Sequence, residues 1–141
     1  MNLCRAFYVN VALVLAAYAV CYLLGQGPLA HLYTPEWTSR RIWFVFAPVT
    51  LAVAMFGPPR AWWWSLAGYP VGVLLGELIG LPLYRADLAR LEDQLRDPSY
   101  QQDWQPGHPG WWITILVFLA ATVIGWLVQR RRQAGVTCSR A

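Results

Sequence analysis

Charged side chains are scarce in this sequence, and lysine is absent altogether. Only 13% of the 141 residues are charged, about half the share that soluble proteins carry. All eleven basic residues are arginines, and they flank apolar runs, where guanidinium groups anchor helix ends at lipid headgroups. The formal charge of +4 therefore does not indicate a nucleic-acid binder. The apolar share of 57% is higher than soluble proteins usually have and indicates a membrane protein.

Sequence motifs for catalysis or cofactor binding are also missing. The chain contains no nucleophile elbow, no glycine-rich phosphate loop and no haem attachment sequence. Its three cysteines show no metal-ligand spacing and are expected to be free thiols: Cys4, Cys21 and Cys138. His31 and His108 fall in predicted loops, and two loop histidines rarely form a metal site. We therefore expect neither an enzyme nor a metal or cofactor protein.

Four apolar runs are long enough to cross a bilayer as helices, which takes about 20 residues. The second run is the shortest and contains Pro48, which is expected to kink it. The third run contains a single charged residue, Glu77. The sequence thus predicts one all-α domain, a polytopic membrane protein with four transmembrane helices at residues 6–25, 42–59, 61–84 and 111–128.

The first apolar run has a second interpretation, a cleaved signal peptide. Arg5 precedes the run, and Ala17, Tyr18 and Ala19 resemble a cleavage site. The run continues past that site to Leu24, however, and its full length suits a membrane span better than a short signal segment.

The connections between the runs differ in length and character. Residues 57–60 leave only a tight turn, so the second and third helices are expected to be antiparallel neighbours. Residues 26–41 are expected to form a loop of medium length. In residues 86–96, leucines recur at helical spacing and acids can pair with arginines, which predicts a short amphipathic helix outside the cytoplasm. Residues 97–110 contain three prolines and are expected to be an irregular loop.

Four spans would place both chain termini on the same side of the membrane. Arginine-rich segments stay in the cytoplasm, and the clearest one, Arg130–Arg132, directly follows the last apolar run. The exclusive use of arginine is typical of a GC-rich bacterial genome, so we expect a bacterial inner-membrane protein with cytoplasmic termini. The arginine bias is narrow, six against five, and Arg40 and Arg41 lie on the side that this orientation disfavours.

The third run carries glycine at every fourth position: Gly68, Gly72, Gly76 and Gly80. Such a repeat forms a groove along a helix, lets two backbones approach closely and drives association in lipid. The groove is expected to pack either against another helix of the same chain or against a second copy or a partner membrane protein.

Glu77 lies beside this groove and is the only acidic residue in any of the predicted spans. Burying its charged form would cost on the order of a few kcal/mol. The carboxyl group is therefore expected to be protonated, paired or beside water. Three groups lie at a similar depth and are candidate partners for it: Arg41, Tyr18 and Thr114. Glu77 is either a structural acid that fixes helix packing or a proton or cation site.

Two functions follow from these features. The leading prediction is a small non-enzymatic membrane protein that acts in the lipid bilayer by helix–helix association, as a homo-oligomer or an accessory subunit. The alternative is a small proton-coupled transporter or channel that uses Glu77. A Glu77→Gln variant with an intact phenotype would argue against the transporter. Unchanged folding and assembly in Gly72→Leu and Gly76→Leu variants would argue against association.

Overall fold

The described part of the chain is helical and contains no strand. The computed structural model describes residues 3–96 and 105–138. In chain order its elements are α1 (Leu3–Gln26), α2 (Tyr33–Arg40), a π-helical turn (Ile42–Phe46), α3 (Ala47–Phe56), α4 (Trp62–Leu95) and α5 (Gly110–Cys138). The predicted all-α fold is confirmed. Of the predicted proline-rich loop, residues 97–104 lie outside the described residues, and residues 105–109 are irregular.

Within the described residues, three helices are long and apolar enough to cross a membrane, and a bent pair adds a fourth candidate span. The three helices are α1, α4 and α5. The pair consists of α2 and Ile42–Phe56, which meet at an angle of 53°. Ile42–Phe56 alone rises about 22 Å, less than the roughly 30 Å of a hydrocarbon core. The second predicted span, residues 42–59, is therefore long enough only when α2 is counted with it.

The bend in this pair lies at Arg41, whereas the sequence predicts a kink at Pro48. Arg41, with φ −110° and ψ 4°, ends α2. Proline has no N–H, and its ring clashes with the carbonyl group four residues earlier in a regular helix. The chain before Pro48 adopts the wider π register, in which the Ala47 N–H donates to the Ile42 carbonyl. The π-helical turn thus accommodates the proline without interrupting the helix.

Helix α2 lies in the connection that the sequence predicts to be a loop. Its residues, YTPEWTSR, have low helix propensity because hydroxyl side chains and proline compete with helical bonding. In the structure, Thr38 Oγ1 donates to the Thr34 carbonyl at 2.7 Å, and Ser39 Oγ donates to the Glu36 carbonyl at 2.8 Å. Arg40 pairs with Glu36 on the exposed side. Contacts with α1, α4 and α5 stabilise a helix that its own sequence does not favour.

Helix α4 is continuous over 34 residues. The sequence predicts a span at residues 61–84 followed by a separate amphipathic helix at residues 86–96, but in the structure one helix covers both segments as far as Leu95. No glycine or proline separates them, and the residues after Tyr84 include good helix formers such as alanine, leucine and glutamate. At 1.5 Å per residue, α4 is about 51 Å long, so its charged end extends well beyond a bilayer core.

The four regularly spaced glycines of α4 are buried. A Cβ atom added at Gly68 would lie 2.6 Å from the Cβ atom of Ala121, and one added at Gly72 would lie 2.8 Å from the Thr114 carbonyl oxygen. Both distances are shorter than side chains tolerate, so α5 occupies the space that the missing side chains leave. The other two glycines meet the start of α5 in the same way. In this chain the glycine groove therefore packs against another helix of the same chain.

An aromatic cluster fills the centre of the bundle. Phe46 contacts Tyr69 and Phe118 edge to face, with ring centroids 4.8 and 5.0 Å apart. Tyr18 packs on Tyr69 in the same way at 5.6 Å, and such pairs stabilise beyond the area they bury. The hydroxyl groups of Tyr18 and Thr50 share a hydrogen bond of 2.7 Å. The cluster joins α1, the π-helical turn, α4 and α5, and it closes the interior of the bundle on one side of Glu77.

Candidate functional site

A polar cavity of about 430 Å³ lies where α4, the start of α2 and the segment before α5 meet. A cavity of this size is in the range that small-molecule sites occupy. The side chains around it include both signs of charge and several aromatic rings: His31, Tyr33, Glu77, Tyr84, Arg85 and His108. Of the residues singled out by the sequence, the structure thus brings Glu77 together with both histidines of the chain.

Glu77 holds the start of α2. Its Oε2 atom accepts a hydrogen bond of 2.9 Å from the backbone N–H of Thr34. The first N–H groups of a helix have no partner within the helix, and the residue before α2, Leu32, supplies no side-chain cap. A carboxylate at a helix N-terminus is also stabilised by the helix dipole. Glu77 therefore caps α2 from a different helix, and no described residue donates a hydrogen bond to its second oxygen.

His108 lies beside Glu77 in a neutral form with a defined tautomer. The Gly110 N–H donates to His108 Nδ1 at 3.1 Å, so the ring proton is on Nε2. Burial lowers the pKa of His108, and the negative charge of Glu77 acts in the opposite direction. The side chain is only 5% exposed, yet its Nε2 has no hydrogen-bond partner among the described residues. One of the residues that line the cavity thus carries a buried donor without a partner among the described residues.

Two tyrosines fix the His108 ring. Tyr33 stacks on it with ring centroids 4.4 Å apart and an angle of 28° between the rings. Tyr84 lies at 5.6 Å and 43° on the same ring. The last glycine of the α4 repeat makes room for this histidine, because a Cβ atom added at Gly80 would lie 2.7 Å from His108 Cε1. Gly80 is therefore the feature of the sequence that indicates where the His108 ring packs.

The cavity has positive charge at its exposed edge. Arg85 and His31 are exposed, whereas Glu77 is half-buried. Arg85 follows Glu77 by eight residues on α4, a rise of about 12 Å along the helix. The arginine side chain is long and flexible enough to shorten this separation. A carboxylate and a guanidinium group therefore line the same cavity at different depths.

The partners predicted for Glu77 have other contacts. Arg41 lies over the Trp37 ring at 4.0 Å, and the Tyr18 hydroxyl bonds to Thr50. Thr114 Oγ1 donates to carbonyl groups of α4 and of its own helix. The structure corrects this expectation because α2, which the sequence does not predict, places a backbone N–H group against the carboxylate.

The described residues contain no group of three or more His, Cys, Asp or Glu side chains arranged for a metal ion. The chemistry that the cavity offers is a carboxylate with one oxygen that no described residue bonds to, an imidazole N–H donor and a guanidinium group. These groups bind protons, ammonium groups and acid oxygens. Comparison with family models, curated proteins and solved structures finds no match to this chain.

Proposed function

We propose that the protein is a small, non-enzymatic multi-pass membrane protein that binds a proton or a small cationic group at Glu77, as the coupling site of a transporter or channel does. The observation that carries this proposal is the position of the carboxylate: Oε2 caps α2 through Thr34, while the side chain lines an open polar cavity. An acid within a membrane-spanning helix is a candidate functional residue by default, since its burial is costly.

The cap fixes one oxygen of Glu77 and leaves the other, to which no described residue donates, for a cation. A hydrogen bond from a backbone N–H to a carboxylate is charge-assisted and stronger than a neutral one. The dipole of α2 adds to this stabilisation. Because the cavity is open to small molecules, a cation can reach the carboxylate without crossing the apolar core.

The same contact connects cation binding to the position of α2. A proton on Glu77 would remove the negative charge that the Thr34 N–H and the helix dipole stabilise. Helix α2 joins the π-helical turn through the bend at Arg41, so it is the element best placed to move. The aromatic cluster around Phe46 closes the bundle beyond Glu77, and transport would require that this packing opens as α2 shifts.

We place the protein in the bacterial inner membrane with both termini in the cytoplasm. This proposal counts α2 and Ile42–Phe56 as one bent span, which gives an even number of crossings. It also rests on the arginines that follow the apolar part of α5, Arg130–Arg132. The Glu77 cavity then opens toward the extracytoplasmic side.

Association remains a second candidate function. The glycine groove does not support it directly, because α5 covers that face of α4. An apolar face of α4 is exposed beside it, with Leu74 70% and Leu78 72% exposed, and either lipid or a second helix covers this face in a membrane. The mass of the protein in nanodiscs tests whether this face forms a dimer. A stable dimer that Leu78→Trp dissociates supports association through this face, and a monomer argues against it.

Ion flux into proteoliposomes tests the proposed function. A proton or monovalent cation gradient across the vesicle wall is expected to collapse faster with the wild-type protein than with empty vesicles. Glu77→Gln, which keeps the shape of the side chain, is expected to reduce flux to the level of empty vesicles. Glu36→Gln is the matched control, because it makes the same change in an exposed pair with Arg40. Equal flux and equal cation binding in the wild type and Glu77→Gln would overturn the proposal.

A further inference from the structure

The cavity beside Glu77 carries groups for two opposite charges. A lone cation at Glu77 would leave Arg85 without a counter-charge, and a lone anion at Arg85 would leave Glu77 without one, since both side chains line one space. A volume of about 430 Å³ is also far more than a proton or a metal ion needs. Both observations favour a small organic ligand that carries both charges.

His108 adds selectivity for an oxygen of the ligand. Its Nδ1 accepts from the Gly110 N–H, so Nε2 can only donate, and this buried donor has no partner among the described residues. An ammonium group cannot accept its hydrogen bond, whereas a carboxylate or phosphate oxygen can. The second oxygen of Glu77 prefers an ammonium group, because an ionised carboxylate can only accept hydrogen bonds and an ammonium group can only donate them.

The walls of the cavity fit the same chemistry. Tyr33 and Tyr84 flank the His108 ring at 4.4 and 5.6 Å, and tyrosine faces attract ammonium groups. Arg85 is exposed at the edge, where a guanidinium group can form two parallel bonds to a carboxylate or phosphate.

We propose that the cavity binds a small zwitterion, with its primary ammonium group at Glu77 and its carboxylate or phosphate group at His108 Nε2 and Arg85. This inference rests on the proposed cation binding at Glu77 and names the class of ligand. The same chemistry occurs in a free amino acid and in an ethanolamine phosphate headgroup of a lipid.

Calorimetric titration of the full chain in phosphatidylcholine nanodiscs tests the inference with four probes: phosphoethanolamine, alanine, ethylamine and acetate. A zwitterionic probe is expected to bind about tenfold more tightly than ethylamine, the contribution of one charge-assisted hydrogen bond. Acetate is expected to bind least. Arg85→Gln is expected to weaken zwitterion binding severalfold, toward the affinity for ethylamine, because only His108 is then left to bind the acid group. It is expected not to weaken ethylamine binding.

Arg85 is exposed, so its substitution leaves the fold intact and keeps the test interpretable even where Glu77 variants fold poorly. If ethylamine and the zwitterions bind equally, or if Arg85→Gln changes nothing, the inference fails while the cation site at Glu77 stands. If no amine binds to the folded wild type, either as a soluble probe or as retained phosphatidylethanolamine, the inference and the binding of a cationic group at Glu77 both fail.

A second experiment, with lipids, distinguishes a lipid headgroup from a free zwitterion as the ligand. In nanodiscs that contain phosphatidylethanolamine, native mass spectrometry is expected to retain one such lipid on the wild type if the headgroup is the ligand, and to lose it in Arg85→Gln. Binding of the soluble probes without retained lipid assigns the cavity to a free zwitterion. Retention of phosphatidylcholine and phosphatidylethanolamine in equal amounts, with no binding of the soluble probes, overturns the inference.

Discussion

The carboxylate of Glu77 caps a helix that begins far earlier in the chain: Oε2 accepts the N–H of Thr34 at 2.9 Å across 43 residues. Helix α2 has no cap of its own from Leu32. One side chain of α4 therefore both completes α2 and lines the polar cavity. We expect a ligand or a proton at Glu77 to act on α2 through this hydrogen bond.

Removing the cap is expected to destabilise the protein. Glu77→Ala leaves the Thr34 N–H at the start of α2 without its acceptor, and the loss of a helix cap costs about 1 kcal/mol. Glu77→Gln keeps an acceptor oxygen and is expected to cost less. Thermal unfolding in detergent, followed by circular dichroism, measures the difference, and Glu36→Gln serves as the exposed control. An Ala variant as stable as the wild type would show that Glu77 does not stabilise α2.

Enlarging the glycines of α4 is expected to disrupt the fold and not merely an oligomer. A side chain at Gly72 would meet the backbone of α5 at 2.8 Å, and overpacking of this kind costs about 1–3 kcal/mol or more. Gly72→Leu is expected to give aggregated protein on size-exclusion chromatography.

Gly107→Ala is the matched control for this experiment, since no atom of the described residues, its chain neighbours aside, lies within 4 Å of a Cβ atom added there. It is expected to elute like the wild type. A well-folded Gly72→Leu protein of lower mass would mean instead that the groove forms an interface between chains.

Acid is expected to destabilise the protein through His108. Burial lowers its pKa in the folded state, so the unfolded chain binds the proton more readily. Stability from the neutral ring is then fully present above the unfolded pKa of about 6.5 and is lost as the pH falls through that value toward the folded pKa. Glu77, whose charge opposes the shift, and the exposed Arg85 and His31 face the same cavity.

The midpoint of thermal unfolding between about pH 5 and 8 measures this effect. The wild type is expected to become more stable as the pH rises through the region near 6.5, and His108→Gln is expected to flatten that dependence. His31→Gln removes an exposed histidine and is expected to leave the profile unchanged. An identical slope in the wild type and His108→Gln would contradict the assignment.

The hydrogen bond between Tyr18 and Thr50 is expected to stabilise the centre of the bundle. Both residues are fully buried, and their hydroxyl oxygens lie 2.7 Å apart. Tyr18→Phe leaves the Thr50 hydroxyl without this partner and is expected to cost about 1 kcal/mol, the range found for such bonds within membranes. A double-mutant cycle with Thr50→Val isolates the pair. Additive effects of the two substitutions would show that the pair is not coupled.

The sequence determined the features that depend on local composition. Apolar runs of sufficient length specify α1, α4 and α5 because a bilayer requires about 20 apolar residues in a helix. Glu77 and the glycine repeat are equally visible, since both stand out within a single run. The continuity of α4 to Leu95 could also have been predicted from the sequence, because no residue between the two predicted segments breaks a helix.

Only the tertiary structure decided what these features contact. Helix α2 has weak propensity of its own and forms because it packs against α1, α4 and α5 and because Glu77 caps its start. The glycine groove could have faced any helix, and the structure fills it with α5. His108 reaches Glu77 from a loop because Gly80 leaves space for its ring. Such pairings join residues far apart in the chain, and periodicity within one segment carries no information about them.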